Sequence, residues 1–395
     1  MRISEELRHR LELVRGETLS DKQFVEALPC KELSDLSALC ENPVVSVCMI
    51  TYNHEKYIQQ AIDGVMAQET DFPYELVLAE DCSTDATRDI CFANQARYPG
   101  RIRILWSEAN VGMGPNYERA MKACRGEFVA FCEGDDYWVN PCKLQKQVEL
   151  MRKHPSAGIC FGGNDIFCEF SGYSSGYEAS RAPAEFVPGR EFCWRLLFAK
   201  GDKGFYIQNL HTSTHLIRRT VMDRARAEFE DAYRWSLRQC DVTQLFTVAA
   251  VSDVCFLRER CSVYRMNDGG VTRRVGARSL MDGDFLKIYF CMKIFGWSFD
   301  VAFSALEDLL VNRWVKIALE GDSAVQRSLA QAIEQSPALY AVFCRWYCRG
   351  FWTAIAKGAL DRERYKRLRP LYAIGAHINK WSVRRRLRRM HGVVL

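Results

Sequence analysis

Two pairs of carboxylates follow short apolar segments in the first half of the chain. Glu80 and Asp81 come directly after one segment, and Asp135 and Asp136 come shortly after another. A carboxylate pair placed after a buried strand is costly unless a cation balances its charge. Adjacent carboxylates on a tight turn are hard oxygen ligands that suit Mg²⁺ or Mn²⁺. The spacing therefore predicts a divalent cation at Asp135 and Asp136, with a nucleotide diphosphate supplying the remaining ligands.

Buried strands are needed to position such loops, and five apolar runs predict them. These runs cover residues 45–50, 74–79, 102–106, 128–132 and 157–161. Helical patterns separate them, which indicates right-handed βαβ units and a mainly parallel sheet. In such sheets ligands bind beyond the carboxyl ends of the strands. The loops after the first, second and fourth runs therefore meet at one edge.

The helical segments have recognisable beginnings. Ser83 can cap a helix that runs to about Arg97, and Pro141 suits the first turn of another helix. The other expected elements are a helix at 58–66, one from near Pro115, helices near 190–200 and 241–250, and a strand at 254–257.

Charge is distributed unevenly along the 395 residues. The net charge is +5, but residues 345–395 hold 14 Lys and Arg against two acids. A uniformly basic nucleic-acid-binding protein would not have this distribution, so we expect no nucleic-acid partner. The basic tail, with nearby aromatic residues, favours contact with anionic lipid at an inner membrane face, with a lipid-linked acceptor contact or a solvated terminus as alternatives.

The 17 cysteines are scattered and contain no Cys-x-x-Cys pair, which argues against a zinc ribbon. Free thiols predict a reducing, cytoplasmic setting. The first 15 residues are charged throughout and lack a signal-peptide core. The chain also lacks any run of about 18 apolar residues, so no transmembrane helix is expected.

Four motifs together resemble a known family. They are VSVCMITYN, AEDCSTDATRD, NVGMGPNYERA and FVAFCEGDDYW, in that order. The set is similar to the family 2 glycosyltransferases of the GT-A fold over about residues 44–165. A weaker match extends to about 275 through HTSTHLIRR, QCDVTQLF and SVYRMNDGGVT.

The resemblance implies roles for the nucleotide-binding positions. Asp81 matches the acid that hydrogen-bonds the base of the donor, and Thr51, Tyr52 and Asn53 match residues that line the nucleotide. The position before Asp81 is usually Asp in the family and is Glu80 here.

The resemblance also implies a diphosphate and cation region. Asn110, Gly112 and Asn116 match the loop and helix start beside the diphosphate. Asp135 and Asp136 match the metal and sugar motif, with Asp136 expected as the direct ligand of Mg²⁺ or Mn²⁺.

Two later residues match the acceptor side of the family pattern. Asp241 falls where the family places its general base, which deprotonates the acceptor hydroxyl. Arg265 falls where members often hold a basic residue that contacts diphosphate or acceptor, although the His usual two positions later is Asn267 here.

These inferences predict three regions and one activity. Residues 1–43 form a helical leader, 44–275 a GT-A-like catalytic domain, and 276–395 a helical, basic C-terminal region. The expected enzyme transfers a sugar, with inversion, from a nucleotide-diphosphate sugar, a UDP-sugar above others, to a hydroxyl of a glycan or lipid-linked acceptor. Surface polysaccharide synthesis is the expected setting.

Two other functions remain open at this point. A nucleotidyltransferase also pairs a metal–carboxylate site with a nucleotide fold, but it needs a Gly-rich, basic loop where residues 51–55 stand. A non-catalytic glycan- or nucleotide-binding relative would keep the fold without turnover.

Overall fold

A computed structural model describes residues 30–178, 183–198, 210–235, 240–267, 287–297, 301–302 and 305–306. The chain divides into two compact units, 1–270 and 271–395. The fold described below is that of the first unit. In the second unit, residues 287–295 are helical. The predicted basic tail and most of the predicted C-terminal helices lie outside the described residues.

The described part of the first unit is built on one mixed sheet of 11 strands. The strands are β1 Lys31–Leu33, β2 Val45–Thr51, β3 Tyr74–Glu80, β4 Ile102–Trp106, β5 Phe128–Phe131, β6 Tyr137–Trp138, β7 Ala157–Cys168, β8 Tyr173–Ser175, β9 Phe186–Val187, β10 Leu216–Arg218 and β11 Asp253–Met266. Their order is β1-β4-β3-β2-β5-β10-β7-β11-β6, with β8 on β7 and β9 on β11.

Eight helices connect these strands within the described residues. They are α1 Ile58–Met66, α2 Thr87–Arg97, α3 Met113–Ala123, α4 Lys143–Lys153, α5 Gly189–Phe198, α6 Arg219–Glu228, α7 Glu230–Trp235 and α8 Cys240–Val251. A short 3₁₀ turn, Thr212–Thr214, precedes β10. None of the described helices combines the length and the apolar character that a bilayer crossing needs.

The predicted α/β alternation is confirmed in the first half of the sheet. Strands β4, β3, β2 and β5 are neighbours and all run in parallel. Their side chains are almost entirely buried, as the continuous apolar runs predicted for strands covered on both faces. The loops after β2, β3 and β5 therefore lie at one edge, where the expected site residues begin.

The structure departs from the sequence expectation in three elements. Residues 31–33, expected in a helical leader, form strand β1 on the edge of the sheet, antiparallel to β4. The strand expected at 254–257 continues to Met266 as β11 and pairs along β7. Strand β10, only three residues long, lies between β5 and β7 and is antiparallel to both. These pairings depend on contacts far apart in sequence, which local patterns do not reveal.

Candidate functional site

The end of strand β2 binds both carboxylate loops. The backbone N–H of Gly134 donates to the carbonyl of Ile50 at 3.1 Å, and the N–H of Asp81 donates to the carbonyl of Thr51 at 3.1 Å. Two consecutive carbonyls of one strand thus bring the loops after β3 and β5 together. We call residues 51–55, 80–87 and 133–136 the carboxylate edge.

Side chains fasten the loop after β2 to the loop after β3. The Asn53 N–H donates to Ser83 Oγ at 3.0 Å, and the Thr84 N–H donates to Asn53 Oδ1 at 2.8 Å. Asn53 and Cys82 have φ values of 54° and 58°, in the left-handed region where both strands turn sharply. Ser83, predicted to cap the next helix, instead accepts from Asn53, while the Asp85 carboxylate accepts the N–H of Thr87 at the start of α2.

Asp81 is buried and holds the loop before helix α3. Its Oδ1 accepts the N–H of Val111 at 2.9 Å and its Oδ2 accepts the N–H of Gly112 at 2.8 Å. Burial raises the pKa of Asp81 to about 6, although the two N–H donors and the Arg119 guanidinium lower it. The carboxylate that the resemblance assigns to base recognition therefore also fixes the backbone beside the expected diphosphate position.

Neighbouring polar side chains complete this loop. Asn110 donates through Nδ2 to the Asp81 carbonyl at 2.8 Å, and Asn116 donates to the Ala79 carbonyl at 2.9 Å. Glu80, fully buried, accepts from Arg88 Nε at 2.6 Å. All of these predicted nucleotide-site residues form hydrogen bonds with other protein groups at or next to the carboxylate edge. Tyr52 has a side chain that is 42% exposed there.

Asp136 is buried beneath the edge, and both of its oxygens accept hydrogen bonds. Ser213 Oγ donates to Oδ2 at 2.5 Å, and the Arg265 backbone N–H donates to Oδ1 at 2.9 Å. Burial and the nearby Asp135 raise the pKa of Asp136 to about 8. Both oxygens of Asp136 thus already accept hydrogen bonds from the protein, and its role as the direct cation ligand stays a prediction.

Asp135 is the more accessible carboxylate of the pair. It is half-buried, and Asn267 Nδ2 donates to its Oδ2 at 3.0 Å. Among the described residues no hydrogen bond reaches its other oxygen. Asp135 therefore has a lone pair to offer to a ligand at the carboxylate edge.

The Arg265 guanidinium is committed to protein groups. Its Nε donates to the Asp135 carbonyl at 2.9 Å, its Nη2 donates to Gln60 at 2.7 Å, and its Nη1 reaches Glu169 at 3.3 Å. The guanidinium carbon lies 4.8 Å from the centre of the Tyr57 ring. Arg265 thus ties the end of β11 to the carboxylate edge, where the sequence suggested a diphosphate or acceptor contact.

Sequence reasoning missed several residues of this site, among them His54 and Ser213. A Cβ at Gly134 would lie 2.8 Å from His54 Nδ1 and 2.8 Å from Thr51 Oγ1, so a larger residue there would displace the turn. Ser213 also accepts the N–H of Glu133 at 3.1 Å. The glycine between Glu133 and Asp135 was a sequence signal for the close approach of His54. No sequence pattern indicated Ser213, which lies 77 residues from Asp136.

The acceptor-side candidates lie in other elements. Asp241 is in the first turn of α8, and its side chain is outside the described part of the chain. His211, noted in the HTSTH motif, stacks on Tyr264 with ring centroids 4.0 Å apart. Burial lowers the pKa of His211 to about 4, so this ring is neutral near pH 7.

Few protein groups among the described residues are available as ligands for a divalent cation. Within the described residues, no group of three or more His, Cys, Asp or Glu could hold a metal ion without other ligands. The accessible carboxylate of Asp135 fits an ion that takes most of its ligands from a bound diphosphate. The residues present therefore suit Mg²⁺ or Mn²⁺ together with a nucleotide.

Comparison with known families and proteins now adds to this geometry. The family model described as "Glycosyl transferase family 2" matches residues 46–223. An uncharacterised protein of Mycobacterium tuberculosis is 32% identical over 227 residues, which are 58% of this chain and 60% of that protein. The putative teichuronic acid biosynthesis glycosyltransferase TuaG of Bacillus subtilis is 33% identical over 127 residues, 32% of this chain and 49% of TuaG.

A solved structure supports the same architecture. The crystal structure of S. aureus TarS 1–349 in complex with UDP-GlcNAc has a TM-score of 0.53 and 18% sequence identity, covering 87% of this chain and 91% of that one. At this identity the likeness shows the fold, a GT-A-type α/β architecture. The chain spans about 60% of the length of the mycobacterial relative it matches.

Proposed function

We propose that the chain transfers a sugar from a nucleotide-diphosphate sugar to a hydroxyl group, since the model of glycosyl transferase family 2 matches residues 46–223. A UDP-sugar is the proposed donor, since UDP-GlcNAc is bound to the structural neighbour TarS. The proposed acceptor is a glycan or a lipid-linked saccharide, and the proposed stereochemical course is inversion.

One observation carries this proposal: strand β2 holds both carboxylate loops through its last two carbonyls. The Ile50 and Thr51 carbonyls each accept one N–H, from Gly134 and Asp81 respectively. A nucleotide lying across this edge would have the Asp81 loop at one end and Asp135 at the other. Parallel strands end at the side where ligands of α/β sheets bind, which supports the same location.

Asp135 is the residue proposed to hold the divalent cation, with Asp136 held behind it by Ser213. When bound, Mg²⁺ or Mn²⁺ would supply charge stabilisation for the leaving diphosphate. The chain itself would bind the nucleotide through the loop at Tyr52 and the loop that Asp81 fixes. Asp241 is proposed as the base that takes the proton of the acceptor hydroxyl.

The setting of this reaction is also a proposal. The name of TuaG refers to teichuronic acid biosynthesis, which supports a role in surface polysaccharide synthesis for this chain. Contact of the basic segment 345–395 with anionic lipid head groups, at a cytoplasmic membrane face, remains a proposal drawn from its charge.

Calorimetric titration of the full chain with UDP, GDP, dTDP and CDP tests the proposal, each with Mn²⁺ and with EDTA. Binding of one nucleotide, dependent on Mn²⁺ and abolished in Asp135→Ala, is the expected result. Binding of none, or binding indifferent to both Mn²⁺ and Asp135, would reject it. A Mn²⁺-dependent binder that never releases sugar from any donor would point to the non-catalytic relative.

A further inference from the structure

Lys143, the first residue of helix α4, is a charged side chain with no exposure to solvent. Within the described residues its Nζ makes one hydrogen bond, to Gln147 Oε1 at 2.8 Å, and lies 4.1 Å from the centre of the Trp138 ring. An ammonium group carries three donors, so this burial is costly. Burial accordingly lowers the pKa of Lys143 to about 8. Packing alone does not account for a lysine here.

Both neighbours of Lys143 hold the same turn. Trp138 Nε1 donates to the Ser213 carbonyl at 2.7 Å, and Gln147 Nε2 donates to the Thr214 carbonyl at 2.9 Å. These are consecutive carbonyls of the 3₁₀ turn that precedes β10. Lys143 therefore contacts Trp138 and Gln147, the two side chains that donate hydrogen bonds to this turn.

The same turn reaches the carboxylate edge. Ser213 Oγ donates to Asp136 at 2.5 Å and accepts the N–H of Glu133 at 3.1 Å. A change in the position of the turn would therefore move Asp136 and the backbone that carries Asp135. Side chains that orient ligand residues from behind are known to affect metal and substrate affinity.

We propose that Lys143 is a positioning residue of the nucleotide-sugar site, acting through Trp138 and Gln147 on the Ser213 turn and so on Asp136. The proposal rests on the function proposed above for this edge. Among the described residues Lys143 forms no hydrogen bond or ion pair with Asp135 or Asp136, and its contribution is to fix the ring and the amide that hold the turn.

Nucleotide binding by the folded variant separates this role from ordinary core packing. Replacing Lys143 with Met keeps a side chain of similar length and removes a buried charge, which relieves its desolvation cost. The same change leaves the buried Gln147 Oε1 without its donor, which is destabilising. A positioning role predicts weaker UDP binding at a temperature where the variant is fully folded, whereas a packing role predicts wild-type binding there.

The experiment compares the wild type, Lys143→Met and Lys146→Met. Lys146 lies on the same helix, is 40% exposed and pairs with Glu259. The measurements are the Kd for UDP in saturating Mn²⁺, the KM for the donor and the unfolding midpoint. Lys143→Met should weaken UDP binding and raise donor KM about 10- to 100-fold. Its unfolding midpoint should stay well above the assay temperature, and Lys146→Met should match the wild type.

Each outcome has a distinct meaning. Wild-type UDP affinity in a folded Lys143→Met would overturn the positioning role and leave the proposed function standing. No UDP binding by the wild type would overturn both. If Lys143→Met does not fold, Lys143→Gln decides, since its amide keeps a donor near Gln147 but lacks the ammonium group over the Trp138 ring. Weakened binding there supports the role, and unchanged binding overturns it.

Discussion

Burial has opposite electrostatic consequences in two regions of the first unit. At the carboxylate edge it raises the pKa of Asp81 to about 6 and that of Asp136 to about 8. In the segment 210–215 it lowers the pKa of His211 to about 4 and that of His215 to about 3. In both regions burial disfavours the charged form, so a cation would stabilise the carboxylates of the edge, whereas the two histidine rings stay neutral near pH 7. The segment 210–215 also carries Ser213, which holds Asp136 from behind.

The largest expected effect tests whether nucleotide binding and proton removal from the acceptor depend on different residues. Asp241→Asn should lower kcat about 10²- to 10⁴-fold, because the acceptor hydroxyl loses its base. UDP binding in Mn²⁺ should stay unchanged, since the carboxylate edge is intact. Steady-state transfer rates and calorimetry on the same preparation check both statements. Loss of UDP binding in Asp241→Asn would instead indicate that α8 belongs to the nucleotide-binding site.

The next effect tests the accessible carboxylate. Asp135→Asn should lower kcat/KM at least about 100-fold, because the cation that would balance the departing diphosphate loses its carboxylate ligand. Glu259→Gln, an acid with a side chain 42% exposed on β11, is the matched control and should behave as the wild type. Equal effects of the two substitutions would show that general surface charge, and not Asp135, matters.

A smaller effect is expected at Asp81. Asp81→Asn leaves one oxygen to serve the N–H groups of Val111 and Gly112, so one buried donor loses its partner. The free energy of unfolding should fall by about 1–3 kcal/mol, measured by urea denaturation. UDP binding should weaken as well, because the same loop lies beside the proposed diphosphate position. Full stability in this variant would contradict the loop-fixing role.

These predictions depend on how far each region follows from sequence. The apolar runs identified β2, β3, β4 and β5 because strands buried on both faces are mostly apolar; the buried Glu75 and Arg103 are exceptions that pair with each other. The motifs at their ends then placed Asp81 and Asp135 at a common edge. That part of the site is local in sequence, with each side chain within a few residues of its strand.

The supporting contacts could not be read in the same way. Ser213 reaches Asp136 across 77 residues, and the Arg265 backbone reaches it across 129. Lys143 looked like an ordinary residue at the start of a helix, since its burial arises from a ring and a turn contributed by other elements. The difference in accessibility between Asp135 and Asp136 likewise depends on these distant hydrogen-bond donors.

A further prediction concerns the pH dependence of stability through the histidine segment. Unfolded histidine takes up a proton below its ordinary pKa of 6.5, while folded His215 stays neutral to about 3. Stability is therefore fully present above pH 6.5 and falls by about 1.4 kcal/mol per pH unit for this residue as the pH drops below it. His215→Gln should have a shallower loss between pH 6.5 and 4 in urea denaturation. An unchanged slope would mean that His215 titrates normally in the folded chain.

The most direct test of the account is a crystal structure of the chain with UDP and Mn²⁺, using the anomalous signal of manganese. The account predicts a manganese peak bound by Asp135 and the diphosphate, with the base at the Tyr52 and Asp81 loops. Ser213 should still donate to Asp136 in that complex. A manganese peak or nucleotide bound away from the carboxylate edge would contradict the central claim.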